Sequence, residues 1–472
     1  MNNIFGKSTK IVATIGPASN KSEVLQKMFE AGLNVIRMNF SHGDHASHLS
    51  NLELAKKSAK KAGLPLAILQ DLSGPKIRIG DFSDGKVTLK EGEIFTLTTK
   101  KMLGNEKITY INYEKLPQEV SKGKSIMIND GKLRLTVLKT TKTEVVCRIE
   151  VGGEVSNRKG VNVPGANLSI RSLTEKDRSD VLFGIEHNVE FIALSFVRQA
   201  SDILELREIL KKNKSKAMIV AKIETVEAVE NIDEILAVAD AVMVARGDLA
   251  VEVGPENVPM IQKSIIQKAN KCGLPVITAT QMLDSMEHSP VPTRAEVSDV
   301  ANAIFDGTDA IMLSGETATG EYPLETIETM SRIAVAAEHS RQKRQFVDIT
   351  SSDDVIDAVT LSVVRVTEDI KGKAVIALTE SGLTARMISR FRAPYPVIAI
   401  SPSEISCNQL LLSYGVFPVR MVLSKNIDAF TAQVTKFVRE QKIAKKGDKI
   451  VLSAGMPFGK VGSTNTLFVL DI

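Results

Sequence analysis

The sequence predicts an α/β protein: a (β/α)8 barrel, an all-β domain inserted into it, and a C-terminal α/β domain with an open sheet. Three observations carry this reading. Eight short apolar runs, at residues 10–16, 34–40, 66–72, 191–197, 217–224, 241–248, 275–281 and 310–316, have helical spacing between most of them and end in polar, chemically capable residues. From about 73 to 168 the pattern alternates every second residue, as half-buried strands do. Beyond the polar stretch 342–354, strand patterns at 374–378, 397–400, 415–419 and 449–453 alternate with helical ones.

A chain of 472 residues is too long for one core. The pattern assigns residues 1–71 and 169–343 to the barrel, 72–168 to the β-rich lid and 344–472 to the C-terminal domain. In the barrel, Asn20 and Glu23 have the spacing of a capping box, and Gly32 is the expected stop of the first helix. Residues 44–63 form the second helix, ending at Gly63. In the insert, Asn129-Asp130-Gly131 between two alternating runs signals a hairpin. The barrel rhythm resumes where Thr174 and Asp177 cap a helix, and it continues through a helix at 321–341. The third unit opens with a helix at 353–370, and helices at 383–392, 404–413 and 427–442 separate its strands.

Composition narrows the function. The net charge is +4, from 60 Lys and Arg against 56 Asp and Glu, so a nucleic-acid role for the whole protein is not implied. Residues 71–168 hold 17 Lys and Arg against 12 Asp and Glu, so the positive field sits in the insert. That excess suits either a solvated face or a lid over anionic ligands. Cys147, Cys272 and Cys407 form no Cys-x-x-Cys pair, which argues against disulfides or a zinc cluster and fits a reducing cytoplasm. The expectation is a cytoplasmic protein with no signal-type segment, no membrane span and no nucleic-acid partner.

The strand ends carry the chemistry. Side chains alternate along a strand, so Lys222 and Glu224 face the same way. Glu224 and Asp248, on successive strands, offer two hard oxygens for Mg2+, and Lys222 beside them would set a cation over a transferring phosphoryl group. Singly each is an ordinary rim charge; together at one barrel mouth they point to a site. The backbone of Ala245, Arg246 and Gly247 can present N–H groups to a carboxylate or phosphate, although a plain βα turn would also suit Gly247. Arg37, Asn39 and Ser41 share one strand face, with a guanidinium for phosphate and oxygens for a cation. His42 could act as a base, but a lone loop histidine is more often a hydrogen-bonding or stacking contact, and it is read as a nucleotide contact. Asp71, Lys76 and Arg78 would line a cleft between barrel and lid, and Lys159 offers another phosphate-reaching cation; solvated hinge charges explain the same spacing. Thr280, and Ser314 with Glu316, end the last two strands, where hydroxyls beside a carboxylate either relay a proton or cap the next helices. A P-loop and a glycine-rich dinucleotide fingerprint are both absent.

These residues fall in motifs. Thr9-Lys-Ile-Val-Ala-Thr-Ile-Gly-Pro-Ala-Ser19, Arg37-Met-Asn-Phe-Ser-His-Gly43, Gly160-Val-Asn-Val-Pro-Gly165, Val220-Ala-Lys-Ile-Glu224, Met243-Val-Ala-Arg-Gly-Asp-Leu249, Ala279-Thr-Gln-Met282 and Met312-Leu-Ser-Gly-Glu-Thr-Ala318 follow one another in order. With them the chain resembles the pyruvate kinase family over essentially its whole length. The resemblance implies a TIM-barrel phosphotransferase moving the phosphoryl group of phosphoenolpyruvate to ADP, giving pyruvate and ATP, in the last step of glycolysis. It implies Mg2+ or Mn2+ on Glu224 and Asp248, Lys222 on the phosphoryl group in flight, Arg37 on the same group, and the backbone at 245–247 on the substrate carboxylate. Thr280 would lie beside the enolate carbon, with Ser314 and Glu316 in the proton route, and Pro17, Asn39, His42, Arg78 and Lys159 would meet the nucleotide. Many relatives hold K+ near the positions of Asn39, Ser41, Asp71 and Leu72, and have Glu where this chain has Lys76; the departure implies catalysis without K+. In the C-terminal domain the phosphate nest Thr379-Glu380-Ser381-Gly382-Leu-Thr384 lies where the family binds phosphorylated effectors, and a sugar monophosphate or AMP is the expected activator. A homotetramer is implied by the same resemblance.

Two other classes stay open on the residues alone. A Mg2+-dependent pyruvate or phosphoenolpyruvate aldolase or lyase would share the metal carboxylates but would not need the lid, Lys159 or the third domain. A catalytically dead sugar-phosphate sensor would not need Lys222, Glu224, Asp248 and Thr280.

Overall fold

A computed structural model describes residues 6–166, 168–340, 354–424, 426–456 and 464–472. Eight parallel strands close a barrel: β1 (Lys10–Thr14), β2 (Val35–Asn39), β3 (Ala67–Asp71) and, after the insert, β12 (Phe191–Leu194), β13 (Met218–Ile223), β14 (Ala241–Ala245), β15 (Val276–Ala279) and β16 (Ala310–Leu313). Nearly every residue of these strands is buried, because helices cover the outside and side chains fill the inside. The inner layer is small and branched, with Val12, Val35, Ala67, Val220, Ala241 and Ile277 among its members.

The insert leaves after β3 and returns before the helix Glu175–Glu186. Its strands are β4 (Lys86–Leu89), β5 (Ile94–Thr98), β6 (Ile108–Tyr110), β7 (Ser125–Ile128), β8 (Leu133–Thr140), β9 (Glu144–Val151), β10 (Gly153–Ser156) and β11 (Val161–Asn162). They form a six-stranded sheet, β11-β7-β8-β9-β5-β6, and a separate β10-β4 pair. The β7–β8 hairpin turns at Asn129, Asp130 and Gly131, all three with positive φ, which Asn, Asp and Gly tolerate best.

The C-terminal sheet has the order β19-β18-β17-β20-β21, made by β17 (Val375–Leu378), β18 (Val397–Ser401), β19 (Val416–Arg420), β20 (Lys449–Gly455) and β21 (Thr464–Asp471). The sheet is parallel except for β21, an antiparallel edge strand that the sequence reading did not foresee. This unit closes the N-terminal mouth of the barrel. Leu411 and Leu412 join the cluster of barrel-interior side chains. The Arg392 guanidinium meets Asp309 at 2.6 Å and also donates to Gly307 O and Asn270 Oδ1. Lys10 Nζ donates to Val416 O at 2.7 Å, and Tyr414 N donates to Asp309 Oδ1. The opposite mouth is therefore the one left for the insert and for chemistry.

Several boundaries differ from expectation. The first helix runs Ser22–Glu30 with Lys21 at its N-cap and no side-chain cap, so Asn20 and Glu23 form no capping box. The Asn20 amide instead donates to Gly16 O, within a turn that also docks Ala18 N on Ala318 O. The box at Thr174 and Asp177 is present, with both reciprocal bonds. The second helix is His45–Ala62, capped by Asp44 and stopped by left-handed Gly63. Strands β14 and β16 end earlier than the apolar runs: Arg246–Asp248 open a helix, Arg246–Val253, and Gly315–Glu316 open another, Gly315–Ala318. The 342–354 linker, except for Asp354 at the N-cap of the next helix, and most of the 455–465 loop lie outside the described residues. Among the described residues no helix is long and apolar enough to cross a membrane.

Candidate active site

At the C-terminal mouth of the barrel three neighbouring strands converge on one ammonium. Lys222 Nζ lies 3.0 Å from Glu224 Oε1 and 3.2 Å from Asp71 Oδ1, and donates to Ser195 Oγ at 2.7 Å. Lys222 and Glu224 are two residues apart on the end of β13, so the strand's alternation alone puts them together. Asp71, the last residue of β3, also takes Arg37 Nε at 2.7 Å, and Arg37 reaches Thr14 Oγ1 at 2.9 Å. Glu224 Oε2 accepts Phe196 N at 2.8 Å, an amide aimed inward because Phe196 adopts φ +53°. Strained backbone of this kind costs about 1–3 kcal/mol and gathers at functional sites.

Electrostatics follow from this packing. Burial alone would raise the Asp71 carboxyl, but Lys222 and Arg37 hold it below the ordinary carboxylate range. Burial works against the Lys222 ammonium, but Asp71 and Glu224 more than reverse that, so it stays protonated. Glu224 is pushed up, first by burial and then by Asp248, against the pull of Lys222. Counted by formal charge, the mutually interacting set is Arg37 and Lys222 against Asp71, Glu224 and Asp248, one positive charge short, and this shortage is part of what pushes Glu224 up. Two carboxylates in a charge-deficient pocket fit a divalent cation with hard-oxygen preference, whose other ligands would be water or substrate oxygens. Among the described residues no three His, Cys, Asp or Glu side chains converge as a metal site.

Beside the cluster, Gly247 N donates to Thr280 Oγ1 at 2.9 Å, and the Thr280 hydroxyl donates to Ala279 O at 2.6 Å. Thr280 and Gln281 both have positive φ. The Arg246 guanidinium turns away to Asp299 at 2.7 Å and to the carbonyls of Ala279 and Thr280. Arg246 is also the first residue of a helix, whose first N–H groups lack intrahelical partners.

A cleft of about 460 Å³ lies between this mouth and the insert. His42 and Asp248 of the barrel and Lys76, Arg78 and Lys159 of the insert line it, so five expected residues meet at one cleft. Lys76 is exposed there, and its ammonium has no hydrogen bond or ion pair among the described residues. Arg78 donates to Arg158 O, and Leu72 is buried. The insert touches the barrel across the cleft, where Asn162 Nδ2 donates to Glu252 Oε1 at 3.4 Å. Burial lifts the Glu252 carboxyl to about 7.

Other expected residues stand apart. Pro17 is exposed on the loop after β1 and lines no described cavity. Asn39 Oδ1 accepts Ser41 N, which fixes the turn after β2. Glu316 is buried and accepts the amides of Ser314 (2.7 Å) and Leu283 (3.2 Å); burial pushes its carboxyl up. Glu316 thus organises the turn after β16, while Ser314 is half-buried beside it. In the C-terminal unit Gly382 (φ +84°) precedes the helix Leu383–Ser389. Ser406 Oγ donates to Glu380 O, Arg386 donates to Ser381 O, Thr379 N donates to Ile400 O, and the Thr384 and Thr464 hydroxyls meet at 2.6 Å.

Sequence reasoning missed Ser195, the Phe196 amide and the direct contact of Asp71 with Lys222. The signal for Ser195 was available. It is the first polar residue after the apolar strand β12, the rule that picked out the other strand ends.

A parallel barrel with a lysine–carboxylate cluster at its C-terminal mouth, under a basic inserted unit, defines a barrel phosphotransferase. Residues 6–327 match the family model of the pyruvate kinase barrel domain, and residues 357–470 that of the pyruvate kinase alpha/beta domain. The chain is 45% identical to a pyruvate kinase of Sporosarcina psychrophila over 468 residues, 98% of this chain and 80% of that protein. It is 44% identical to one of Staphylococcus saprophyticus at the same coverage. A crystal structure of a pyruvate kinase from Cryptosporidium parvum superposes with a TM-score of 0.93 at 34% identity, covering 100% of this chain and 97% of that one. The chain belongs to the pyruvate kinase family.

Proposed function

We propose that this chain transfers the phosphoryl group of phosphoenolpyruvate to ADP at the C-terminal mouth of its barrel, with Mg2+ or Mn2+ on Glu224 and Asp248. The observation that carries the reading is the five-charge cluster, with Asp71, Lys222 and Glu224 buried and Arg37 and Asp248 half-buried, one positive charge short by formal count, beside a cleft that Lys76, Arg78, Lys159 and Arg198 also line. A divalent cation there would polarise phosphoryl and enolate oxygens and draw charge from the bond that breaks. Lys222 and Arg37 hold the phosphoryl oxygens as the bond to the enol oxygen breaks and the bond to the ADP oxygen forms. The first amides of the 246–253 helix take the substrate carboxylate, with Gly247 N exchanging Thr280 Oγ1 for it. Thr280 flanks the carbon that accepts a proton when the enolate becomes pyruvate, and Ser314 and Glu316 supply the route. Lys159, Arg78, His42, Asn39 and Pro17 bind the nucleotide, and closure of the 72–168 unit over the cleft excludes water, so transfer outruns hydrolysis. The domain division at 71/72, 168/169 and 343/344 belongs to this reading.

The unpaired Lys76 ammonium and the buried Leu72 support turnover without K+ near Asn39, Ser41 and Asp71. The nest at Thr379, Glu380, Ser381, Gly382 and Thr384 is read as the seat of a phosphorylated activator, a sugar monophosphate or AMP. A cytoplasmic homotetramer completes the proposal by family likeness. One coupled assay tests it: ATP formation from phosphoenolpyruvate and ADP, with Mg2+ or chelator, in tetramethylammonium salts with and without K+, with each effector added. Mg2+-dependent ATP formation at similar rates with and without K+ supports the reading. No ATP overturns it, a strong K+ requirement removes the Lys76 argument, and a response only to a sugar bisphosphate removes the effector assignment.

A further inference from the structure

The fourth barrel strand ends in a residue that no part of the reading above uses. Ser195 is 1% exposed, and its hydroxyl makes two short bonds: it donates to Leu72 O at 2.7 Å and accepts Lys222 Nζ at 2.7 Å. A serine hydroxyl has one proton and two lone pairs. With the proton committed to the Leu72 carbonyl, a lone pair is fixed toward the ammonium. Leu72 is the first residue beyond β3, where the chain leads into the insert, and its own amide donates to Ala193 O. Ser195 Oγ therefore extends the β3–β12 pairing by one step where the backbone ladder has stopped.

The next residue repeats the theme, since Phe196 N holds Glu224. The start of the insert also rests on this elbow: a Cβ at Gly74 would sit 2.8 Å from Ser195 Cβ and 2.9 Å from Phe196 Cδ2, at a residue with φ +66°. Of the three groups facing the ammonium, two are carboxylates that attract it along their own directions, and only Ser195 is neutral. A neutral acceptor adds direction without adding negative charge to a site that must receive a phosphoryl dianion.

We propose that Ser195 is a positioning residue for phosphoryl transfer: its hydroxyl, oriented by the Leu72 carbonyl, aims the Lys222 ammonium and links that aim to the chain that leads into the lid. The inference rests on the phosphoryl-transfer reading given above. It is tested on the full chain with Mg2+, using Ser195→Ala and the near-isosteric Ser195→Cys, and Ser195→Thr to restore the hydroxyl. Three quantities are read: kcat and KM for phosphoenolpyruvate, the melting temperature, and solvent-deuterium exchange into the methyl group of pyruvate, which needs enolisation but no phosphoryl transfer. A misplaced catalytic group typically costs about 10²-fold in rate. The Ala and Cys variants are expected to lose roughly 10–100-fold in kcat for ATP formation with KM changed less than about threefold, and to keep most of their exchange rate; a folded Thr variant recovers transfer. Wild-type kcat in the Ala variant, or equal loss of transfer and exchange, overturns the proposal. If the wild-type chain itself forms no ATP, the failure is that of the phosphoryl-transfer reading and not of Ser195.

Discussion

The two mouths of the barrel are made by the same eight strands and treat buried charge in opposite ways. At the N-terminal mouth the Arg392–Asp309 pair is closed on itself: the guanidinium also reaches Gly307 O, Asn270 Oδ1 and Ser389 O, and Asp309 also takes Tyr414 N and Val276 N. At the C-terminal mouth Arg37 and Lys222 face three carboxylates, and the set stays short of positive charge. A saturated pair binds one unit of the protein to another. An unsaturated cluster has charge left for a ligand, at some cost in stability. The contrast predicts that changes at one mouth act on stability and changes at the other act on turnover.

The largest effect tests the upper mouth. Lys222→Met should lower ATP formation by about 10³–10⁵-fold, the worth of a positioned cation in phosphoryl transfer, as read by coupled-assay kcat/KM. Unchanged turnover would remove Lys222 from the chemistry and end the contrast. At the lower mouth Arg392→Ala strands a buried Asp309 and should cost about 3–5 kcal/mol in denaturant unfolding, while the folded fraction keeps its kcat. A drop in kcat without loss of stability would show the two mouths to be coupled. Leu412→Ala, which empties part of the seal at the barrel's base, should cost about 2–5 kcal/mol with the same silence in activity.

The smallest effect concerns the contact between insert and barrel. In the folded protein the Glu252 carboxyl keeps its proton up to about pH 7, whereas an unfolded glutamate releases it near 4.5. The folded state then binds more protons between those values, so this group makes stability fall as pH rises from about 4.5 to 7. Glu252→Gln should remove that fall and raise the melting temperature at pH 8 by roughly a degree or two, read by calorimetry across pH. An unaltered pH profile would show that Glu252 titrates as an ordinary surface acid.

Much of this was legible in the sequence because strands and their ends obey a short-range rule. The period-2 alternation put Lys222 beside Glu224, and all eight barrel strands lie within the apolar runs that announced them. What local pattern could not supply was pairing across strands. Asp71 sits 151 residues before Lys222, and nothing in its neighbours says that β3 and β13 flank β12 and so share an ammonium. The same limit hid Ser195 and the antiparallel edge strand β21, whose partner β20 defines it. The first helix start failed for a different reason: Asn20 looks like a cap, but the turn made by Gly16 takes its amide and the cap position falls one residue on, at Lys21.

The claim on which the account turns is that Glu224 and Asp248 form the divalent-cation seat of the unsaturated mouth. Mn2+ titration of the full chain and of Glu224→Gln, followed by the electron paramagnetic resonance of free Mn2+, measures it directly. The account predicts a bound ion in the wild-type protein that is lost or weakened at least tenfold in the variant. Equal Mn2+ affinity in both proteins would contradict it.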